Sequence, residues 1–209
     1  MSRDFESLLP AELFWDQSTE EIFQARGEPV QDRAIQVRDE VIGLCEFIER
    51  KNVRSYLEIG IWTGRLVSTL HRIFDFELAA AVDHGWVENL GLEIRLHEGV
   101  RFLRSESRSD EYIAWRESLG PIDLVLIDAD HRPHALRADF ELNKRFDQRF
   151  IAFHDITGAR RQTRGVATVW NEITGGFKYE IIRPHREIGR DDSTMGIGIW
   201  SETEDPNID

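Results

Sequence analysis

The sequence predicts an α/β protein built on a doubly wound, mostly parallel sheet of seven strands. Three observations carry the prediction. Short apolar runs lack the polar alternation of a half-exposed strand, as at 56–59, 78–82, 122–127 and 150–153. Segments with helical spacing separate them. Several runs stop at a glycine, an acid or a histidine. Strands apolar on both faces and joined by helices belong to a parallel sheet covered on both sides. Right-handed crossovers then put any ligand beyond the carboxyl ends of the strands.

The elements follow in chain order. Leu13, Phe14, Ile22 and Phe23 suggest a helix over 10–26, broken by Gly27, Glu28 and Pro29. Ile35, Val37, Val41, Ile42, Leu44, Cys45 and Ile48 suggest a second. Together they predict an N-terminal helical extension over 1–50, whose Phe5, Leu8, Leu9, Phe14 and Trp15 are many apolar residues for a free tail, so that it docks, as a cap over a ligand pocket or against another subunit. The main domain, 51–201, opens with the first strand. Leu66, Val67, Leu70, Ile73 and Phe74 follow it at helical spacing. The run 78–82 is the second strand and 100–103 the third. A helix over 110–119 leads to the strand 122–127. An amphipathic helix over 135–146 precedes the strand 150–153, and a short helix spans 166–173. The runs 177–182 and 196–200 form a closing pair. Residues 202–209 read as a disordered acidic tail.

Composition narrows the function. The 209 residues are 41% hydrophobic and 31% charged, enough for one sizeable core. No apolar run reaches the ~18 residues of a membrane span. The N-terminus lacks the apolar stretch of a signal peptide, and Cys45 is the single cysteine. A cytoplasmic setting is therefore expected. Lys and Arg total 26 against 39 Asp and Glu, a net charge of −13. Such a field repels nucleic acid and anionic membrane, so neither is an expected partner.

The strand ends carry the chemistry. After the first stand Glu58, Gly60, Trp62, Thr63 and Gly64, with glycines suited to a tight turn and a close ligand. Asp83 ends the second strand, nineteen residues past Gly64, where a carboxylate suits a ribose diol. Asp128, Asp130 and His131 follow the fourth, and His154 and Asp155 the fifth. Singly, each has an ordinary structural explanation as a turn, a cap or a solvated loop residue. Four strand ends in the expected order make accident a poor account. A dinucleotide needs G-x-G-x-x-G, but Trp62 occupies the second glycine position and Glu58 would repel a pyrophosphate. The same acid favours an amine, such as the aminoacyl end of S-adenosylmethionine. Arg160, Arg161 and Arg164 could close over an anion, though such a run is more commonly a solvated loop.

The strings LEIGIWTGRLV, AAAVDHGW, IDLVLIDADHRPH and FIAFHDITG resemble the class I S-adenosylmethionine-dependent methyltransferases. Within that class the chain is most similar to small O-methyltransferases related to macrocin and caffeoyl-CoA O-methyltransferases and to the cephalosporin hydroxylase/rhamnosyl O-methyltransferase group. The segment RGEPVQDRAIQVRDEVIGL resembles the approach to motif I in that last group, and the similarity spans about residues 27–200. The resemblance implies a Rossmann-like fold and S-adenosylmethionine as cofactor. It implies that Glu58, Gly60, Thr63 and Gly64 surround the methionine part, that Asp83 binds the ribose, and that His84 and Ser107 lie near the adenine. Ser105, Glu106 and Ser107 replace the more usual Gly-Asp-Ser.

Asp128 matches a cofactor-side residue and the first metal-ligand aspartate of metal-dependent members. Asp155 and His154 stand where those members place a second acidic pair. A divalent metal, Mg²⁺ or Mn²⁺, on Asp128, Asp155 and His154 is one expectation, and His154 or His131 as base beside Asp155 is the other. The resemblance also makes a homodimer plausible. The expected activity is O-methylation of a small hydroxylated molecule, a sugar or a natural-product scaffold. N-methylation and a cofactor-binding module without activity are the alternatives, and a nicotinamide oxidoreductase is a distant fourth.

Overall fold

The computed structural model describes residues 3–14, 32–158, 161–183 and 195–207. Trp15, Ile22, Phe23, Gly27, Glu28, Pro29 and Arg160 lie outside them, with most of the expected first helix. Within 10–14 that helix does not form. Pro10 is extended, Ala11–Leu13 make one 3₁₀ turn, and Phe14 bridges in parallel to Ala34. The helical turn comes earlier, as α1 (Phe5–Leu8), because Asp4 caps it by accepting from the Ser7 amide.

The second expected helix is α2 (Arg38–Arg50). Then come β1 (Ser55–Ile59), α3 (Arg65–Phe74), β2 (Leu78–Asp83) and β3 (Val100–Arg104). They are followed by α4 (Asp110–Leu119), β4 (Ile122–Ile127), α5 (Pro133–Asn143) and β5 (Gln148–His154). The chain closes with α6 (Arg164–Glu172), β6 (Phe177–Ile181) and β7 (Ile197–Ser201). Local chemistry explains the boundaries. Gly64 begins α3 in a left-handed conformation, Ser109 caps α4 by accepting from the Tyr112 amide, and Pro133 opens α5.

The seven strands lie in the order β3-β2-β1-β4-β5-β7-β6. The five from β3 to β5 are parallel, and β7 runs antiparallel to both β5 and β6. The sheet is thus mixed, with the closing pair as its antiparallel part. Successive residues face opposite sides, so Tyr56, Leu124 and Leu126 pack with α2 and α3, while Leu57, Val125 and Ile127 pack with α4, α5 and α6. Phe5, Leu9 and Phe14 join the first of these cores, which ties the N-terminal segment to the sheet. No helix among the described residues is long and apolar enough to cross a membrane.

The expected free tail is a correction. Lys51 Nζ donates to the Asp205 carbonyl at 2.9 Å, and Arg50 donates to that of Pro206 at 3.1 Å. Arg149 bonds the Glu204 carboxylate at 3.1 and 3.2 Å, and Asn207 donates to the Lys178 carbonyl at 3.2 Å. Three cationic side chains near the sheet start, Arg50, Lys51 and Arg149, hold the carbonyls of Asp205 and Pro206 and the Glu204 carboxylate of a segment that composition alone marks as solvated.

Candidate active site

The carboxyl ends of β1, β2, β4 and β5 open into a cavity of about 1120 Å³. Its position follows from strand order: β1 and β4 are adjacent in the sheet, but their helices lie on opposite faces, so the connections diverge and leave a crevice.

The glycine turn after β1 builds the floor. Gly60 has φ +80°, and a Cβ there would overlap the Asp128 carbonyl oxygen. It therefore lets the β1 and β4 ends close up while lining the cavity itself. Gly64, Thr63 and Glu58 lie behind this surface rather than on it. A Cβ on Gly64 would meet Leu96 Cδ2 at 2.5 Å. Thr63 is fully buried. Glu58 is 1% exposed and accepts from the Tyr56 hydroxyl at 2.9 Å. Burial pushes its carboxyl well above the usual range, against that hydrogen bond, and the charge of Asp128 adds to the rise.

On the β2 side, both Asp83 oxygens face backbone donors. Ile61 N donates to Oδ2 at 2.9 Å and Gly85 N to Oδ1 at 2.6 Å. A carboxylate has about four acceptor positions, so two remain for a diol in the cavity that Asp83 lines. His84 is exposed and also lines it. Trp62 and Trp86 stand together at this end, ring centroids 5.9 Å apart, and Trp86 is 51% exposed. Ser107 lines the cavity, but its hydroxyl donates to buried Asp139 at 2.7 Å.

The β4 and β5 ends bring Asp128, His131, His154 and Asp155 together. His131 Nε2 lies 3.3 Å from Asp128 Oδ1 and 3.6 Å from Asp155 Oδ2. His154 Nδ1 lies 3.3 and 3.4 Å from the same two oxygens. Asp155 has φ +68°, a left-handed conformation that aspartate tolerates better than most residues. Burial favours neutral rings and neutral carboxyls, but the opposite charges win. Asp128 is held well below the usual carboxylate range, chiefly by the His154 charge. His154 is raised well above an ordinary histidine by Asp128 and then Asp155, and His131 is raised by its bond to Asp128.

These facts divide the two histidines. His154 is 3% exposed, and the two carboxylates raise its affinity for a proton, which suits charge balance. His131 is 28% exposed and lines the cavity. Donor atoms of Asp128, His131 and Asp155 all lie within 4.8 Å of one another. His131 thus joins the two carboxylates as a candidate ligand beside the expected His154, whose Nδ1 approaches the same two oxygens. Two carboxylates and one imidazole suit a divalent ion of the Mn²⁺ type.

Two participants carried no sequence signal. Gln36 Nε2 donates to Asp128 Oδ2 at 2.7 Å, from a segment 92 positions away. Glu40, on α2, is fully buried near His154, and burial raises its carboxyl to about 7. Trp86 was open to detection, three residues beyond the Asp83 that ends β2.

No protein-family profile and no curated protein sequence matches the chain. Many solved structures resemble it. The O-methyltransferase from Bacillus cereus, solved with SAH, has a TM-score of 0.54 at 14% identity, covering 90% of this chain and 91% of that one. TomG, an O-methyltransferase from Streptomyces achromogenes involved in tomaymycin synthesis and solved with SAM, gives 0.57 at 14% identity, with 91% of each chain covered. Cofactor-bound Rv0187 from MTB gives 0.59 at 16% identity, covering 91% and 92%. At such identities the likeness is one of fold, and the chain has the Rossmann-like fold that S-adenosylmethionine-dependent O-methyltransferases share.

Proposed function

We propose that this protein is an S-adenosylmethionine-dependent methyltransferase that methylates a hydroxyl oxygen of a small molecule. One observation carries the reading. A single cavity at the strand ends holds an acid with spare acceptor positions on β2 and, across β1 and β4, a carboxylate–imidazole cluster. The first recognises a ribose and the second handles a hydroxyl proton. Both belong to one displacement, in which the acceptor oxygen bonds the methyl carbon as the sulfonium carbon–sulfur bond breaks.

Each residue then has a task. Gly60 lets the cofactor approach the backbone, and Asp83 accepts from the ribose hydroxyls. Trp62 and Trp86 offer an aromatic face at the same end. Asp128, His131 and Asp155 orient the acceptor hydroxyl and take its proton, with His154 balancing their charge. The same three residues would hold a divalent ion, whose chemistry is to lower the hydroxyl pKa. A net charge of −13 favours a small-molecule acceptor over nucleic acid.

Calorimetric titration with S-adenosylmethionine, S-adenosylhomocysteine and NAD, each with Mn²⁺ and with EDTA, tests the reading. Micromolar binding of the adenosyl ligands and none of NAD is expected. Asp83→Ala should weaken that binding at least ~10-fold, the scale of one or two lost charge-assisted hydrogen bonds. Asp155→Ala should leave it intact and abolish turnover. Normal cofactor affinity in Asp83→Ala would overturn the assignment.

A further inference from the structure

Among the described residues four guanidinium groups line the cavity, and they are not equivalent. Arg108 bonds buried Asp139 at 2.9 Å, and Arg132 bonds Asp130 at 2.5 Å. Arg161 and Arg164 form no ion pair among the described residues, in a protein with thirteen more acids than bases. Both are exposed and face the cavity at the β5 end.

The backbone holds Arg164 close to the carboxylate–imidazole cluster. Gly158, three residues past Asp155, packs so closely that a Cβ would lie 3.3 Å from Arg164 Cα and 2.7 Å from Ala167 Cβ. On the other side, a Cβ on Gly165 would overlap the His131 carbonyl oxygen and meet Pro133 Cδ at 2.9 Å. Two glycines therefore clamp the start of α6 between the Asp155 loop and the His131 loop.

The ends of the cavity differ as a result: at the β4 and β5 ends the Asp128 and Asp155 carboxylates already face His131 and His154. Asp83 occupies the β2 end, and the two guanidinium groups without an ion pair among the described residues occupy the β5 end, three strand spacings or roughly 14 Å away. The acidic end suits the cationic cofactor of the proposed function. The basic end calls for an anion, which the net charge of the whole protein would otherwise repel.

We infer that Arg161 and Arg164 bind an anionic group of the acceptor, a carboxylate or a phosphate. The acceptor is then a hydroxylated anion whose charge lies within one arginine's reach of the hydroxyl that is methylated. This inference rests on the methyltransferase reading, because it assigns the rest of the cavity to the cofactor. The same guanidinium chemistry would also suit the cofactor's own carboxylate, and the experiment separates the two.

The test titrates inorganic phosphate, then pyrophosphate, into the protein saturated with S-adenosylhomocysteine, and repeats both with the double variant Arg161→Gln/Arg164→Gln. Arg161→Lys/Arg164→Lys serves as the charge-preserving control. The inference expects phosphate binding that weakens ~10-fold or more in the Gln variant and is partly kept in the Lys variant. Affinity for S-adenosylhomocysteine should stay within about twofold of wild type. Equal phosphate binding in wild type and Gln variant, or none in either, would overturn it. A tenfold loss of S-adenosylhomocysteine affinity in the Gln variant would overturn it too, by giving the arginines to the cofactor. Failure of wild type to bind S-adenosylhomocysteine would instead sink the methyltransferase reading, whatever phosphate does.

Discussion

Glu40 sits fully buried on α2, with the backbone of Gly196, Arg183 and Met195 and the ring of His154 as neighbours. Burial raises its carboxyl from 4.5 to about 7, and those neighbours only partly oppose the rise. The folded state then binds a proton that the unfolded state releases above pH 4.5. Stability falls as pH rises from 4.5 to about 7, by an amount on the order of 3 kcal/mol, and levels off above. His154 works in the same direction. Its raised pKa gives stability that is complete below 6.5 and lost as pH climbs through the higher folded value. Glu40→Gln keeps the shape and removes the ionisation. Urea unfolding at several pH values should show a flatter profile between pH 4.5 and 7 and a variant more stable than wild type at pH 8. An unchanged profile would mean that Glu40 does not titrate in this range. Neither Glu40 nor Gln36 was legible in the sequence. Each reaches the site from a segment far from the strand ends, and no local spacing marks a contact made by packing.

The strand-to-helix turns are the elements that sequence reads best, because a turn's chemistry is local. Gly60, Asp83, Asp128, His154 and Asp155 all stand at the ends of apolar runs, and all gather at one crevice. What stayed hidden is the division of labour within a turn. Glu58, Thr63 and Gly64 share the motif with Gly60, yet they support it from behind. Likewise, spacing cannot tell which of two histidines is the more buried: both line the cavity, His154 at 3% exposed and His131 at 28%. Gly60→Ala tests the turn as an element. A left-handed alanine costs about 1–2 kcal/mol. The overlap of its Cβ with the Asp128 carbonyl adds to that by pushing β1 and β4 apart. Thermal unfolding should therefore show a loss beyond the conformational cost alone, and S-adenosylhomocysteine affinity should fall with it. Stability within ~1 kcal/mol of wild type would show that the close approach is dispensable.

At the scale of the whole molecule, chemistry and fastening occupy opposite ends of the sheet. The cavity lies where the parallel strands finish. The C-terminal segment docks where they begin, on Lys51 before β1 and Arg149 near the start of β5. Composition suggested a free acidic tail because it reports which residues are charged and not which cations await them. Lys51 is 8% exposed, and its ammonium lies 3.5 Å from the Glu204 carboxylate as well as donating to Asp205. Ending the chain after Ser201 removes two of the partners of a buried cation, and takes from Arg149 one of its carboxylates. Such losses cost about 1–3 kcal/mol each when the group stays buried, with some return as water enters. The truncated protein should unfold about 2–4 kcal/mol more easily. Its affinity for S-adenosylhomocysteine, measured well below its melting temperature, should match that of the full chain. A truncated protein as stable as the full chain would reduce the ionic contacts at this end to surface decoration. One that stayed folded but lost the ligand would place the tail in communication with a site at the far end of every parallel strand, which the separation of the two ends argues against.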